Sequence, residues 1–177
     1  MFNPDCTHRY ALWRQWVEGG PRLMVIGLNP STADETLDDP TVRRCIGYAK
    51  RWGFNGLEMR NLFSYRSTDP AGLRGHTSMF LDDQQRNLAF WSAAVPNLLN
   101  DGGAILAAWG NGGHGHTDSL LHLCRISGTA LACLGTTKLG EPIHPLYQPL
   151  DARPVPFLSD GGLLCTGPLP TDLLTPG

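Results

Sequence analysis

The stretch Leu23-Met24-Val25-Ile26-Gly27-Leu28-Asn29-Pro30 decides the fold, because an apolar run ends there abruptly in a polar turn. Four consecutive apolar residues are typical of a strand that is buried on both faces, as in a parallel sheet. Gly27 permits a close backbone approach and Pro30 ends the strand, so we expect Asn29 in a tight turn at the strand's carboxyl end. In open α/β sheets ligands bind at that edge, so the stretch predicts a binding site as well as a strand.

Length and composition indicate one globular domain. The chain has 177 residues, of which 41% are hydrophobic and 17% are charged, so it is long enough to bury a substantial core. We expect a single domain over residues 1–150, followed by a Pro- and Gly-rich tail over residues 151–177. The N-terminus has no long apolar stretch, which predicts neither a signal peptide nor a membrane span.

Charge and cysteine content limit the binding partners and the cellular compartment that we expect. The formal net charge of −2 argues against a protein that mainly grips long nucleic acid, although a small basic groove is compatible with it. The five cysteines are scattered and form no Cys-x-x-Cys pair, so neither a zinc ribbon nor an iron–sulfur cluster is indicated. We therefore expect free, buried thiols in a reducing cytoplasm. Separately, we expect a monomer that needs no metal and no cofactor.

Strands and helices alternate along the chain. We predict strands over about 22–27, 56–63, 103–108 and 129–134, and helices over 6–17, over 40–53, from Asp82 or Asp83 onward, and after Thr117. Asp39 should cap the second helix with Pro40 at its first position, and Pro96 should kink or split the third. Asp69-Pro70 predicts a turn before that third helix. The alternation indicates a parallel sheet with helices on both faces.

Two asparagines at predicted strand ends are candidate site residues. Asn29 can hold a water or a polar ligand edge, since an amide both donates and accepts but cannot titrate. Asn61 follows the second predicted strand, and a bidentate amide is well suited to reading a base edge. The competing interpretation is the same for both residues: an asparagine that only satisfies turn backbone.

His144 lies between Pro142 and Pro145, and the two prolines fix the backbone around its imidazole. Such a histidine can donate a hydrogen bond to a developing anion or act as a general acid. The alternative is an ordinary surface histidine in a turn. Lys138, just upstream, is a candidate for neutralising a phosphate.

An acidic loop and two arginines lie beside Asn29 in the sequence. Asp34 and Asp38 have no structural explanation, so either is a candidate base for water, whereas Asp39 is explained as a helix cap. Arg43 and Arg44 on the following helix are the candidates for binding phosphate, and an exposed helix face is the alternative.

Trp109-Gly110 follows the third predicted strand and opens a glycine-rich loop. Gly112 and Gly113 precede a helix start, where backbone N–H groups can bind an anion with help from the helix dipole. A tryptophan at a strand end is most often core packing. His114 and His116 lack a clear third ligand, so a solvated loop is favoured over a metal site.

Taken together, four segments resemble the uracil-DNA glycosylase superfamily in order and spacing. They are Gly27-Leu28-Asn29-Pro30, Asn61-Leu62-Phe63-Ser64-Tyr65-Arg66, Leu106-Ala107-Ala108-Trp109-Gly110 and His144-Pro145-Leu146-Tyr147. The first is similar to the mismatch-specific and single-strand-selective branches. The resemblance implies a three-layer α/β/α sandwich around a four-stranded parallel sheet of order 2-1-3-4.

The resemblance also implies a DNA glycosylase that flips a damaged or modified base into a pocket and hydrolyses its N-glycosidic bond. Asn29 would position the water, His144 would stabilise the departing base anion, and Asn61 would read the base edge. Phe63 or Tyr65 would stack on the base. The remaining implied substrate contacts are Gly27, Pro30, Ser31, Thr32, Trp109, Lys138, Leu146 as a wedge and Tyr147 as a second stacking residue.

A longer signature resembles more closely an uncharacterised bacterial and phage family, a domain of unknown function. It consists of Gly27-Leu28-Asn29-Pro30-Ser31-Thr32-Ala33-Asp34, then Asp38-Asp39-Pro40-Thr41, then His144-Pro145-Leu146-Tyr147. That resemblance implies no activity. Two further hypotheses therefore stay open beside a glycosylase of single-stranded or duplex DNA. One is an enzyme that acts on a free nucleotide, a nucleoside or a modified phage base, and the other is a non-catalytic nucleic-acid or nucleotide-binding module.

Overall fold

The computed structural model describes residues 1–68, 81–113, 115–159 and 162–163. The strands are β1 (Leu12–Gln15), β2 (Arg22–Gly27), β3 (Gly56–Asn61), β4 (Ala104–Ala107), β5 (Leu131–Cys133), β6 (Val155–Pro156), β7 (Leu158–Ser159) and β8 (Gly162–Leu163). The helices are α1 (Pro40–Arg51), α2 (Leu81–Asn100) and α3 (Asp118–Ile126), and short 3-10 turns cover Gly110–Gly113 and Pro145–Tyr147. The predicted Asp69-Pro70 turn, His114 and most of the predicted tail lie outside the described residues.

The centre of the molecule is a six-stranded mixed sheet of order β1-β3-β2-β4-β5-β6. The inner strands β3, β2, β4 and β5 run parallel, whereas β1 and β6 pair antiparallel at the two edges. The prediction of a four-stranded, wholly parallel sheet of order 2-1-3-4 is therefore wrong. The two edge strands are short and are formed by pairing with distant residues, so no local pattern marks them.

The prediction of a first helix over residues 6–17 is also wrong. Residues Leu12–Gln15 form β1, in which Trp13 lies opposite Glu58 of β3. Leu12 is buried and Trp13 is 39% exposed, which is the alternation of a strand rather than the stripe of a helix. Four residues are too few for the sequence to distinguish the period of a strand from that of a helix. The segment forms a strand because it pairs with the edge of β3 that β2 leaves open.

The helices cover both faces of the sheet. Val42, Cys45 and Tyr48 of α1 pack on one face with Val25 and Leu57. On the other face α2 and α3 form a second core, which contains Trp91, Val95, Leu98, Leu120 and Leu123 together with Met24, Ile26 and Ile105. The molecule is thus layered as helix, sheet and helix, and each inner strand is buried on both faces.

The starts of α1 and α3 differ in whether the preceding side chain caps the helix. Asp39 caps α1, since its Oδ1 accepts a hydrogen bond from Val42 N at 2.8 Å and Pro40 follows it. That prediction is confirmed. Thr117 precedes α3, but its side chain makes no capping hydrogen bond. Pro96 lies inside α2 without splitting it.

We expect Gly103→Ala to destabilise the protein by about 1–3 kcal/mol, as overpacked sites do. A Cβ at this position would lie 2.6 Å from the Arg22 carbonyl oxygen and 2.7 Å from Leu98 Cδ1, so backbone on one side would have to move. Urea unfolding measures the change. Gln85→Ala on the exposed side of α2 is the control and should stay within about 0.5 kcal/mol of the parent; equal stabilities of both variants would contradict the expectation.

Candidate functional site

A cavity of about 390 Å³ opens at the carboxyl edge of the parallel strands, on the α1 side of the sheet. Buried Val25 of β2, Met59 of β3 and Ala108, which directly follows β4, contribute to its wall, and the N-terminus of α1 contributes Thr41 and Val42. The cavity also brings together these predicted site residues: Gly27, Asn29, Ser31, Asn61, Trp109, His144 and Tyr147. Strand ends that are far apart in sequence therefore converge on one space.

Asn29 is held in one orientation by its amide nitrogen. Nδ2 donates to the carbonyl oxygens of Ser67 at 2.8 Å and Pro30 at 3.2 Å. Its Oδ1 receives no hydrogen bond from the described part of the chain. The side chain thus presents a fixed acceptor at the cavity wall, which is the group that a water or a ligand N–H requires.

Asn61 is 3% exposed and ties the ends of β2 and β3 together. Its amide is oriented so that Nδ2 donates to the carbonyls of Arg60 at 3.2 Å and Asn29 at 3.3 Å. A Cβ on Gly27 would lie 2.9 Å from this amide, so glycine makes the room that Asn61 occupies. Both donor hydrogens of this amide are thus directed at backbone carbonyl oxygens.

His144 is delivered by the loop that follows β5. Gly110 N donates to Pro142 O, and Ile143 N donates to Gly135 O, both at 2.9 Å. The His144 Nδ1 accepts a hydrogen bond from Leu146 N at 3.3 Å, so in the neutral ring the proton is carried by Nε2. Burial lowers the pKa of His144 below 6.5, and the nearby Asp39 carboxylate opposes that shift. The ring is therefore a neutral donor at pH 7.

Helix α1 anchors the far side of the same loop through a residue that the sequence did not single out. Tyr48 is fully buried, and its hydroxyl lies 2.9 Å from the Pro149 carbonyl oxygen and 3.1 Å from that of Gln148. This bond fixes the chain just after the Pro145–Tyr147 turn. Its only sequence signal is a tyrosine on the apolar face of a helix.

Of the three aspartates in the acidic loop, Asp39 lines the cavity. Asp34 Oδ1 instead accepts hydrogen bonds from Thr36 N and Leu37 N, both at 2.8 Å, which lower its pKa. Asp38 forms an ion pair with Arg14 at 2.8 Å. Both therefore have structural partners away from the cavity, while Asp39 is a cap whose carboxylate also borders the site.

Several predicted site residues lie outside this cavity, although all of them belong to the described part of the chain: Pro30, Thr32, Asp34, Asp38, Arg43, Arg44, Phe63, Tyr65, Gly112, Gly113, Lys138 and Leu146. Phe63 packs edge-on against His116, and Tyr65 against His8. A Cβ on Gly113 would lie 2.1 Å from Trp109 Cδ1, so this glycine is explained by packing under the indole. The Trp109 Nε1 donates to Glu141 at 2.7 Å.

Arg9 is the charged residue that the sequence gave no reason to select. It lies before β1, is 2% exposed and borders the cavity, where its Nη1 donates to the Ala33 carbonyl at 2.8 Å. A single arginine in a region with helix-like spacing carries no local signal of a site. Ser67 and Thr68 also border the cavity and were not predicted.

The described ranges also bear on metal binding and on membrane insertion. Those ranges hold no group of three or more His, Cys, Asp or Glu side chains that could bind a metal ion. Cys45, Cys124 and Cys133 are free and buried there, and Cys6 is free and exposed. No helix in this part of the chain is both long and apolar enough to cross a membrane.

Comparison with models of protein families gives a match that covers most of the chain. A family model described as "Protein of unknown function (DUF1643)" matches residues 9–146, which include the strands β1 to β5 and most of the cavity wall. No curated protein and no solved structure matches the chain significantly. The comparisons do not link it to the uracil-DNA glycosylases.

We expect Tyr48→Phe to lower the free energy of unfolding by about 1 kcal/mol, because it removes one buried hydrogen bond and leaves carbonyl oxygens unpaired. Urea unfolding measures the loss. Tyr147→Phe is the matched control, since that tyrosine is 79% exposed, and it should change stability by less than about 0.5 kcal/mol. A Tyr48→Phe protein as stable as the control would show that the hydroxyl does not hold the loop.

The depressed pKa of His144 predicts a pH dependence of stability. The folded state binds this proton less readily than the unfolded state, so the contribution is present above pH 6.5 and is lost as pH falls through the lower folded-state pKa. Urea unfolding at about pH 7.5 and about pH 5 should show a smaller loss in His144→Gln than in the parent. His122→Gln on α3 is the control and should lose as much as the parent; equal losses in all three proteins would contradict the assignment.

Proposed function

The chain belongs to the DUF1643 family, and we propose that it hydrolyses an N-glycosidic bond in a base-containing substrate that enters the cavity. The observation that supports this most is the state of His144. Its Nδ1 accepts a backbone hydrogen bond, so the neutral ring carries its proton on Nε2, and the residue borders the cavity. A neutral donor can stabilise an anion as charge develops, which is what a departing base requires.

The reaction is a substitution at the sugar carbon C1′. The bond from C1′ to the base nitrogen breaks, and the base leaves with the electron pair as an anion. Water adds its oxygen to C1′ and its proton finally neutralises the base. Protein groups are therefore needed for two tasks: a donor at a base oxygen and an acceptor that orients the water.

We assign these tasks to His144 and Asn29. The Nε2–H of His144 would donate to the base oxygen on which negative charge develops. The Oδ1 of Asn29 would accept from the water, because its Nδ2 is already occupied by the carbonyls of Ser67 and Pro30. A fixed amide acceptor orients water without titrating, so this role does not compete with the histidine for a proton.

We propose that the Asp39 carboxylate stabilises the positive charge that develops on the sugar. It is 8% exposed, borders the cavity and is close enough to His144 and Arg9 to affect the pKa of each. The sequence suggested Asp34 or Asp38 instead, and their ties to Thr36 and Arg14 make them weaker candidates. Asp39 would act by its charge and as an acceptor for the water.

Two features support a base as the group that is bound. The volume of about 390 Å³ suits a small-molecule site rather than a large one. Tyr147 is 79% exposed at the cavity wall, with its ring centroid 5.8 Å from that of His144, so it is available for stacking. The order of motifs, which resembles the uracil-DNA glycosylases, supports DNA as the source of the base.

A free nucleotide is the second candidate substrate. It is favoured by the net charge of −2 and by the position of Arg43, whose guanidinium donates to the Asp38 carbonyl instead of bordering the cavity. A duplex-binding surface would be expected to present more basic groups around the site. Base release from polymer and from mononucleotide separates the two candidates.

We expect His144→Ala to reduce the single-turnover rate by about 10² or more, through loss of one preorganised donor, and Asn29→Ala to reduce it to a similar or greater extent. The assay is mass-spectrometric detection of released bases from DNA with uracil, hypoxanthine, hydroxymethylated or glucosylated pyrimidines, and from the matching free nucleotides.

His122→Ala is the control, because His122 lies on α3 away from the cavity and should leave the rate unchanged. The parent's rate should also fall as pH drops through the lowered pKa of His144, since protonation of Nδ1 would break its hydrogen bond with Leu146 N, which orients the ring. No base release from any substrate would contradict the proposed hydrolysis, and full activity of both variants would contradict the two assignments.

A further inference from the structure

Arg9 places a cation inside the molecule at the cavity wall. The residue is 2% exposed, and its backbone N–H is fixed by a hydrogen bond to the Ser64 carbonyl at 2.8 Å. Its position is therefore set by the same chain pairing that builds the site. A buried charge is costly unless it is paired, so the groups around the guanidinium indicate whether its role is structural or is to bind a ligand.

The partners of the Arg9 guanidinium among the described residues are few. Nη1 donates to the Ala33 carbonyl, while Nε is buried and has no hydrogen-bond partner. No carboxylate in the described ranges forms an ion pair with Arg9. Asp38 is instead paired with the nearby Arg14. Asp39 acts on Arg9 only at longer range, through its charge. The remaining neighbours Arg14 and Arg66 repel it electrostatically.

The charge persists at neutral pH despite this environment. Burial lowers the pKa of Arg9 to about 10, with Asp39 opposing the shift, so the group stays a cation at pH 7. A planar guanidinium with unused N–H groups matches the oxygens of a phosphate, and such charge-assisted bonds are among the stronger ones in proteins.

We propose that Arg9 binds the phosphate of the substrate inside this cavity. The inference rests on the proposed function, for which it specifies the substrate as a nucleotide unit rather than a free nucleoside. Asp39 is electrostatically coupled both to Arg9 and to His144. With phosphate at Arg9 and the base oxygen at His144, the sugar between them would lie near Asp39. The N-terminus of α1, which contributes Thr41 and Val42 to the wall, adds its positive dipole end to the same cavity.

The test uses probes that do not depend on the unidentified base. Binding of inorganic phosphate, 2-deoxyribose 5-phosphate and 2-deoxyribose to the full chain is measured by calorimetry and thermal shift at constant ionic strength. We expect the phosphorylated sugar to bind at least about tenfold more tightly than the sugar alone, and inorganic phosphate to compete with it. Equal affinities for the two sugars would overturn the proposal.

Variants assign the effect to Arg9. Arg9→Gln should abolish the preference for the phosphorylated sugar. Arg9→Lys should retain part of it, because the positive charge remains while the planar set of guanidinium donors is lost. Arg51→Gln is the matched control, since Arg51 is exposed at the opposite end of α1, and it should keep the full preference. A preference that survives in Arg9→Gln would overturn the proposal. If Arg9→Gln does not fold, the comparison of Arg9→Lys with Arg51→Gln decides, and an Arg9→Lys protein that binds as tightly as the control overturns it.

The source of the phosphate is decided by a further pair of probes, a trinucleotide with a central abasic site and 2-deoxyribose 5-phosphate. Tighter binding of the first identifies a polynucleotide phosphate, and tighter binding of the second a free nucleotide. The proposal and the proposed hydrolysis fail separately. Phosphate-dependent binding without base release would contradict the hydrolysis alone, whereas equal cleavage of nucleoside and nucleotide would contradict the phosphate site alone.

Discussion

The pairing of β2 with β3 continues beyond the last residue of either strand, and the cavity depends on that continuation. Leu62 N donates to Gly27 O and Phe63 N to Leu28 O, both at 2.9 Å. Ser67 N then donates to Pro30 O at 2.9 Å, while the Asn29 side chain returns a bond to Ser67 O. Two chain segments thus leave the sheet together, so the polar turn after β2 is held by main-chain hydrogen bonds rather than by its own sequence.

A second constraint comes from burial, which acts on the polar groups of the site in opposite ways. It keeps His144 neutral and therefore a donor, whereas Arg9 retains its charge because guanidinium is so basic. Asp39 lies near both groups and is itself held by the N–H of Val42. The cavity wall thus combines the Arg9 cation, the Asp39 anion and the neutral His144 donor.

The sequence predicted the parts of the site whose signals are local. Gly27 and Pro30 mark the end of a buried strand, Asp39-Pro40 marks a helix start, and two prolines frame His144. The strand β1 and the position of Arg9 could not be predicted this way, because both follow from pairing with β3 and with the Ser64 carbonyl, far along the chain. The anion-binding role of Gly112 and Gly113 stays a prediction, because glycine suits a phosphate loop and close packing under Leu28 and Trp109 equally well.

The strand β6 has a consequence for shortened versions of the protein. It pairs with Ala132 and Cys133 of β5, and the adjacent Phe157 packs edge-on against Trp109 with ring centroids 5.6 Å apart. A chain cut near residue 150 would retain the whole family match yet expose the backbone of β5 as an open sheet edge. Such an edge recruits strands from other molecules, so a fragment trimmed to the matched region would be prone to self-association.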